Sequence, residues 1–287
     1  MSRPQATLIG FSAVALWALL ALFTVGSAPV PPLQLNAICF AIGGAIGLVW
    51  VGVSEGFGVL RQISWKVYAF GTAALFGYHL LYFSALRLAP PAAASLIAYL
   101  WPLLIVLFSG LLPGERLRPL HILGALIAFA GAALIVARGG VSASASALPG
   151  YGLALLCALT WSSYSLISRR LGSVPTAAVA VYCLATAVLS AGAHLALEET
   201  IWPSTALGWG SVLALGIGPV GLAFYTWDIG VKRGDIQLLG TASYAAPLLS
   251  TLVLVSFGVA AASVILVLAA AMIAAGALLA AMASRSR

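Results

Sequence analysis

The stretch Tyr99-Leu100-Trp101-Pro102-Leu103-Leu104 returns about 145 residues on as Tyr244-Ala245-Ala246-Pro247-Leu248-Leu249. The same ungapped shift pairs Gly71 with Gly216, and Ala130-Gly131-Ala132 with Ala275-Gly276-Ala277. A shift one residue smaller pairs Trp17 with Trp161 and Pro31 with Pro175. Leucine and alanine coincide easily in so apolar a chain, so the Tyr, Trp, Pro and Gly matches carry the argument. The chain reads as two copies of one unit, each hydrophobic enough for a bilayer. Internal repeats inside a membrane point to transporters.

The composition supports that setting. Of 287 residues, 63% are hydrophobic and 7% charged, against about 25% charged in soluble domains. Runs long enough to cross a bilayer fall near 6–26, 33–53, 66–86, 91–112, 119–137, 150–169, 175–196, 207–230, 236–257 and 261–283. The expected fold is an all-α integral membrane protein with ten transmembrane helices. Five helices per copy is an odd number, so the second copy starts on the opposite side and the repeats are inverted. The first repeat is expected over residues 1–138, a short external linker over 139–149, and the second repeat over 150–287. A signal peptide at the front would break the count of five, so the first run is read as a helix that stays.

Charge sets the orientation. Arg3, Arg61, Lys66, Arg116, Arg118, Arg169, Arg170, Lys232, Arg233, Arg285 and Arg287 fall at one end of the expected helices, against Arg87 and Arg138 at the other. The positive-inside rule puts both termini in the cytoplasm. The net charge of +7 is then a topology signal, not a nucleic-acid surface. Cys39, Cys157 and Cys183 lie inside expected helices with no metal or redox spacing, and read as packing residues.

Tryptophan and tyrosine usually gather at membrane interfaces. Trp17, Tyr78, Tyr99, Trp101, Trp161 and Tyr244 sit instead near the middle of their helices, with His79 at the same depth. They are read as lining a midplane cavity, the alternative being ordinary packing with each polar tip bonded to a carbonyl. Tyr78, His79 and Tyr82 share one helical face that Leu75 continues. On a regular helix Tyr99 and Trp101 point apart. Pro102 interrupts that helix, as Pro247 does its counterpart, and paired kinks are expected to widen the site. Gly216, Gly218, Pro219 and Gly221 make the eighth helix pliable, or else let it pack closely.

His79 is an ionisable group inside the membrane, so a functional role is the default: hydrogen-bond partner of the substrate, proton carrier, or structural histidine. Asp228, four residues before Lys232, is read as half of a local ion pair. His121 and His194 are expected at the interfaces. No acid, lysine or arginine is expected near midplane in the first seven helices, which disfavours cationic drugs and dedicated phosphate or dicarboxylate carriers. A neutral or zwitterionic solute with an apolar or aromatic side chain fits better. The fifth and tenth helices, with Gly124, Ala128, Gly131 and Ala132, look like packing elements, and the tenth is a weak candidate for dimer contact.

The pattern resembles the drug/metabolite transporter superfamily in its ten-helix, EamA-type branch. The resemblance rests on Trp17 and Trp161, Ala85-Leu86, Pro102-Leu103, Pro247-Leu248, Gly114-Glu115-Arg116-Leu117, and Gly124 with Gly131. Ala260 replaces the position matching Glu115, so that acidic feature, read as a helix-end anchor, occurs once. The set Tyr78, His79, Tyr82, Tyr99 and Trp101 is similar to that of the bacterial aromatic amino-acid exporters of the YddG type. That resemblance implies an inner-membrane exporter of aromatic and other neutral amino acids working by alternating access. Its partners are a small-molecule substrate and the bilayer, with no cofactor and no enzyme activity. An exporter of other small metabolites or drugs, an amphiphile or lipid flippase, and a channel are the alternatives.

Overall fold

The computed structural model describes residues 1–54, 56–137, 145–257 and 263–285. Arg138, residues 139–144 of the expected linker, Ala260 and Arg287 lie outside the described residues. In chain order the apolar helices are α1 (Arg3–Gly26), α2 (Pro32–Ser54), α3 (Trp65–Leu88), α4 (Ala93–Ser109), α5 (Pro119–Leu134), α6 (Leu148–Arg170), α7 (Ala178–Leu197), α8 (Ala206–Arg233), α9 (Ile236–Val253) and α10 (Val264–Ser284). Among the described residues eight of these are long and apolar enough to cross a membrane, and α4 and α5 are shorter.

Helix ends follow local chemistry. Ser2 accepts the Gln5 N–H while the Gln5 side chain accepts the Ser2 N–H, a complete capping box at the start of α1. Thr205 caps α8 by accepting the Gly208 N–H and Asp235 caps α9 by accepting the Leu238 N–H, each without a reciprocal bond. The proline breaks fall where the sequence puts them. The continuous helix expected over 91–112 is two pieces, Pro91–Ala98 and Trp101–Ser109, divided at Tyr99-Leu100. Its counterpart α9 is divided at Ser243-Tyr244 into Ile236–Ala242 and Ala245–Ser256. Pro102 and Pro247 lack an N–H and crowd the preceding turn, so neither helix runs through. In α8 the Gly- and Pro-rich run becomes a π-helical turn over Gly218–Leu222, a wide turn that accommodates Pro219 without ending the helix.

Packing obeys a rule of five. Helix α1 packs against α8 and α9, and α6 packs against α3 and α4; α2 pairs with α7, α4 with α9, and α5 with α10. Advancing both partners by five helices turns the α1 pairs into the α6 pairs and maps α2–α7, α4–α9 and α5–α10 onto themselves. Small residues set the closest approaches, since lipid gives no hydrophobic drive between helices. A Cβ on Gly10 of α1 would come within 2.8 Å of the Gly230 Cα of α8. One on Gly124 of α5 would come within 2.5 Å of the Gly276 carbonyl oxygen of α10.

Charges lie toward the two ends. At the basic end Glu115 is ion-paired with Arg169 and with Arg3, which also reaches Asp235 at 3.2 Å. Asp228 and Lys232 form the expected pair at 2.8 Å, with the Thr176 hydroxyl donating to the same carboxylate oxygen at 2.8 Å. At the opposite end Glu198 accepts the N–H groups of Leu33 and Gln34 at the start of α2, and pairs with Arg87 and His194. His121 and His194 sit near helix ends and are buried within the protein. His121 Nδ1 accepts the Arg118 N–H, and His194 bonds Glu198 and Thr200. Each is held by the helix-end groups it satisfies.

Candidate functional site

A cluster of rings fills the middle of the bundle. Trp17 of α1 stands at its centre, 5.2 Å from Trp227, 5.8 Å from Trp161 and 6.1 Å from Trp101, ring centroid to centroid. Its position depends on the π-turn: the Trp17 Nε1–H donates to the Pro219 carbonyl at 3.1 Å. A Cβ on Gly221 would run into the Gly216 carbonyl of the same turn, so the turn needs a glycine there. Trp227 donates from Nε1 to the Ser165 hydroxyl, which in turn donates to the Trp161 carbonyl. Trp101, Trp161 and Trp227 are buried, forming a floor whose indole N–H groups and ring edges are partly committed to neighbours.

Above that floor the third helix presents its polar tips. Tyr78 and Tyr82 are stacked at 6.3 Å, and Tyr78 lies 5.5 Å from Trp161. His79 meets Phe40 edge-on at 5.0 Å and Phe224 at 6.2 Å. Its Nδ1–H donates to the Leu75 carbonyl at 2.7 Å. In the neutral ring this fixes the tautomer and leaves Nε2 as a hydrogen-bond acceptor. The Tyr82 hydroxyl shares a 3.1 Å hydrogen bond with Ser95 of α4, and Tyr99 lies near Tyr82. Tyr78, His79, Tyr82, Tyr99 and Trp17 are half-buried, unlike the floor.

The structure thus brings together Trp17, Tyr78, His79, Tyr82, Trp101 and Trp161, with Tyr99 beside them. The break at Tyr99-Leu100 lets Trp101 join the cluster despite its phase on a regular helix. Tyr244 lies elsewhere. It is fully buried against Phe129 of α5, and its hydroxyl accepts the Leu103 N–H of α4 at 3.0 Å. Phe40, Phe224 and Trp227 complete the cluster, and sequence reasoning passed over them. Phe224 and Trp227 are three apart on one face of α8, a spacing that could have placed them.

Chemically the site offers flat apolar surface, hydroxyls and one imidazole. Among the charged pairs described above, Asp228 adjoins Trp227 in sequence and is turned to Lys232 and Thr176. Among the described residues no three His, Cys, Asp or Glu side chains are grouped to hold a metal. Stacking surface with polar acceptors suits an aromatic or apolar solute carrying a polar end.

The comparisons with known proteins point the same way. The EamA-like transporter family matches the chain twice, over residues 5–137 and 148–282. An aromatic amino acid exporter YddG of Ancylobacter novellus is 55% identical over 99% of this chain and 100% of its own. The protein of the same name in Salmonella typhimurium is 24% identical over 88% of each chain. A solved crystal structure at 55% identity superposes with a TM-score of 0.95, covering 99% of both chains.

Proposed function

The chain belongs to the EamA-like transporter family, and we propose that it exports aromatic and other neutral amino acids across the bacterial inner membrane by alternating access. It is a multi-pass membrane transporter, not an enzyme. The single observation that carries the substrate reading is the half-buried face of Tyr78, His79, Tyr82 and Tyr99 over a floor of tryptophans. The aromatic side chain of the substrate stacks on the rings. His79 Nε2 accepts from its ammonium group, and tyrosine hydroxyls hold its carboxylate. Wide and broken turns at Pro102, Pro247 and Gly218–Leu222 give the surrounding helices their hinges.

Ten membrane-crossing helices in two inverted repeats, residues 1–138 and 150–287 joined by the linker 139–149, belong to the same proposal. The rule of five in helix packing and the double family match support it. The basic end, with both termini, faces the cytoplasm. The cluster Arg3, Glu115, Arg169 and Asp235 ties α1, the α4–α5 loop, α6 and α9 together there. This reading makes the conformation described here closed to the cytoplasm. The ring cluster includes no carboxylate, which favours facilitated diffusion or exchange over obligatory proton coupling.

A flippase reading draws on one feature, an apolar groove on the flank between α4 and α6 lined by Phe108, Leu111, Leu166, Ile167 and Arg170. No member of the ring cluster lines it, so it gives a lipid no path through the site. Binding of labelled phenylalanine to the purified protein tests the substrate assignment. Displacement by tryptophan and tyrosine but not by glutamate or lysine is expected. Equal displacement by all four would overturn it.

A further inference from the structure

Tyr244 has a partner that the repeat explains. The helix restarts at Trp101 after the break in α4, so the Leu103 N–H lies in its first turn and has no helical acceptor. The Tyr244 hydroxyl supplies one from across the α4–α9 seam at 3.0 Å. The repeat that pairs Tyr99 with Tyr244 also pairs Leu103 with Leu248. A second bond of the same kind, from the Leu248 N–H to the Tyr99 hydroxyl, is therefore available to the sequence. Among the described residues it is not made.

The seam is uneven in the same sense. At the basic end Ile236–Ala242 of α9 packs against Trp101–Ser109 of α4. At the opposite end Pro91–Ala98 of α4 and Ala245–Ser256 of α9 form no comparable contact. The made bond goes with the closed half of the seam and the unmade bond with the parted half.

We propose that Tyr244 and Tyr99 are alternating caps that latch the α4–α9 seam, one in each conformation of the transporter. The Tyr244–Leu103 bond holds the state closed at the basic end. When that end parts, Tyr244 releases Leu103. The opposite halves meet, and Tyr99 takes the Leu248 N–H. In the present state the Tyr244 hydroxyl satisfies the Leu103 N–H, which inside a membrane has no water to turn to. Tyr99 leaves the substrate face as the outer half closes, so one residue serves both binding and latch. The inference rests on the alternating-access reading above.

The test uses two spin-label pairs on the full chain in lipid nanodiscs without substrate. Leu111 with Arg233 reports the basic end, and Leu88 with Phe257 the opposite end; all four positions are exposed. Tyr244→Phe is expected to shift the ratio of states about fivefold toward parting of the basic end, the size expected for one lost hydrogen bond. Tyr99→Phe is expected to shift the same ratio in the other direction, and the double variant to return near the parent. Shifts in the same direction, or none, would overturn the latch. Adding phenylalanine separates the two ideas. A distance change with substrate but none with either variant sinks the latch alone, whereas distances that answer to nothing sink the alternating-access reading with it.

Discussion

His79 is set by a backbone hydrogen bond and by the rings around it. The Leu75 carbonyl accepts from Nδ1–H, and Phe40 meets the ring edge-on, so Nε2 is presented as an acceptor. Removing it in His79→Ala leaves a bound ammonium group short of one partner, and the affinity for phenylalanine should fall about tenfold. Unchanged affinity in the same displacement assay would remove His79 from the site. Glu115 is the other residue on which much depends. Its side chain is 4% exposed and that of Arg169 17%, and Arg169 also donates to the carbonyls of Val231, Lys232 and Gly234. Glu115→Ala strands this cation and should lower stability by about 3 kcal/mol. The more exposed Arg3 adds little. Thermal unfolding in detergent measures the loss; an unaltered midpoint would mean the pair contributes nothing.

Among the elements, α5 and α10 form a tight pair away from the ring cluster. Gly124→Val would press a branched side chain onto the Gly276 carbonyl, prising the helices apart. The expected result is a lower unfolding midpoint with phenylalanine affinity retained in the folded fraction. Lost affinity with an intact midpoint would show that this pair reaches the site. The repeat made α5 and α10 legible, because small residues at helical spacing have one use in lipid. The breaks were legible as well, since proline chemistry is local: Pro102 and Pro247 interrupt their helices where expected. What the sequence could not show was which side chain would answer the freed backbone groups. Tyr244 reads like a cavity residue because it matches Tyr99. Only the tertiary arrangement puts its hydroxyl on Leu103. Likewise Glu115 looked like a helix-end anchor, and its ties to Arg3 and Arg169, more than 50 residues away in sequence, come from α1 and α6 both meeting the α4–α5 loop.

The whole molecule combines paired helices with one uneven seam. Apolar runs and alternating charge were enough to read an all-helical membrane protein. The ring cluster was legible in part, because mid-helix Trp and Tyr are out of place in lipid; Phe40 and Phe224 were not, since phenylalanine is at home there. The proposed carrier behaviour requires a site that opens to one side at a time. Counterflow puts that to the test: vesicles holding the protein are loaded with unlabelled tryptophan, and labelled tryptophan is added outside with no ion gradient. Transient accumulation of label above equilibrium, abolished by excess phenylalanine, is the expected result. Label that rises only to equilibrium, without an overshoot and without competition, would be the mark of a channel and would contradict alternating access.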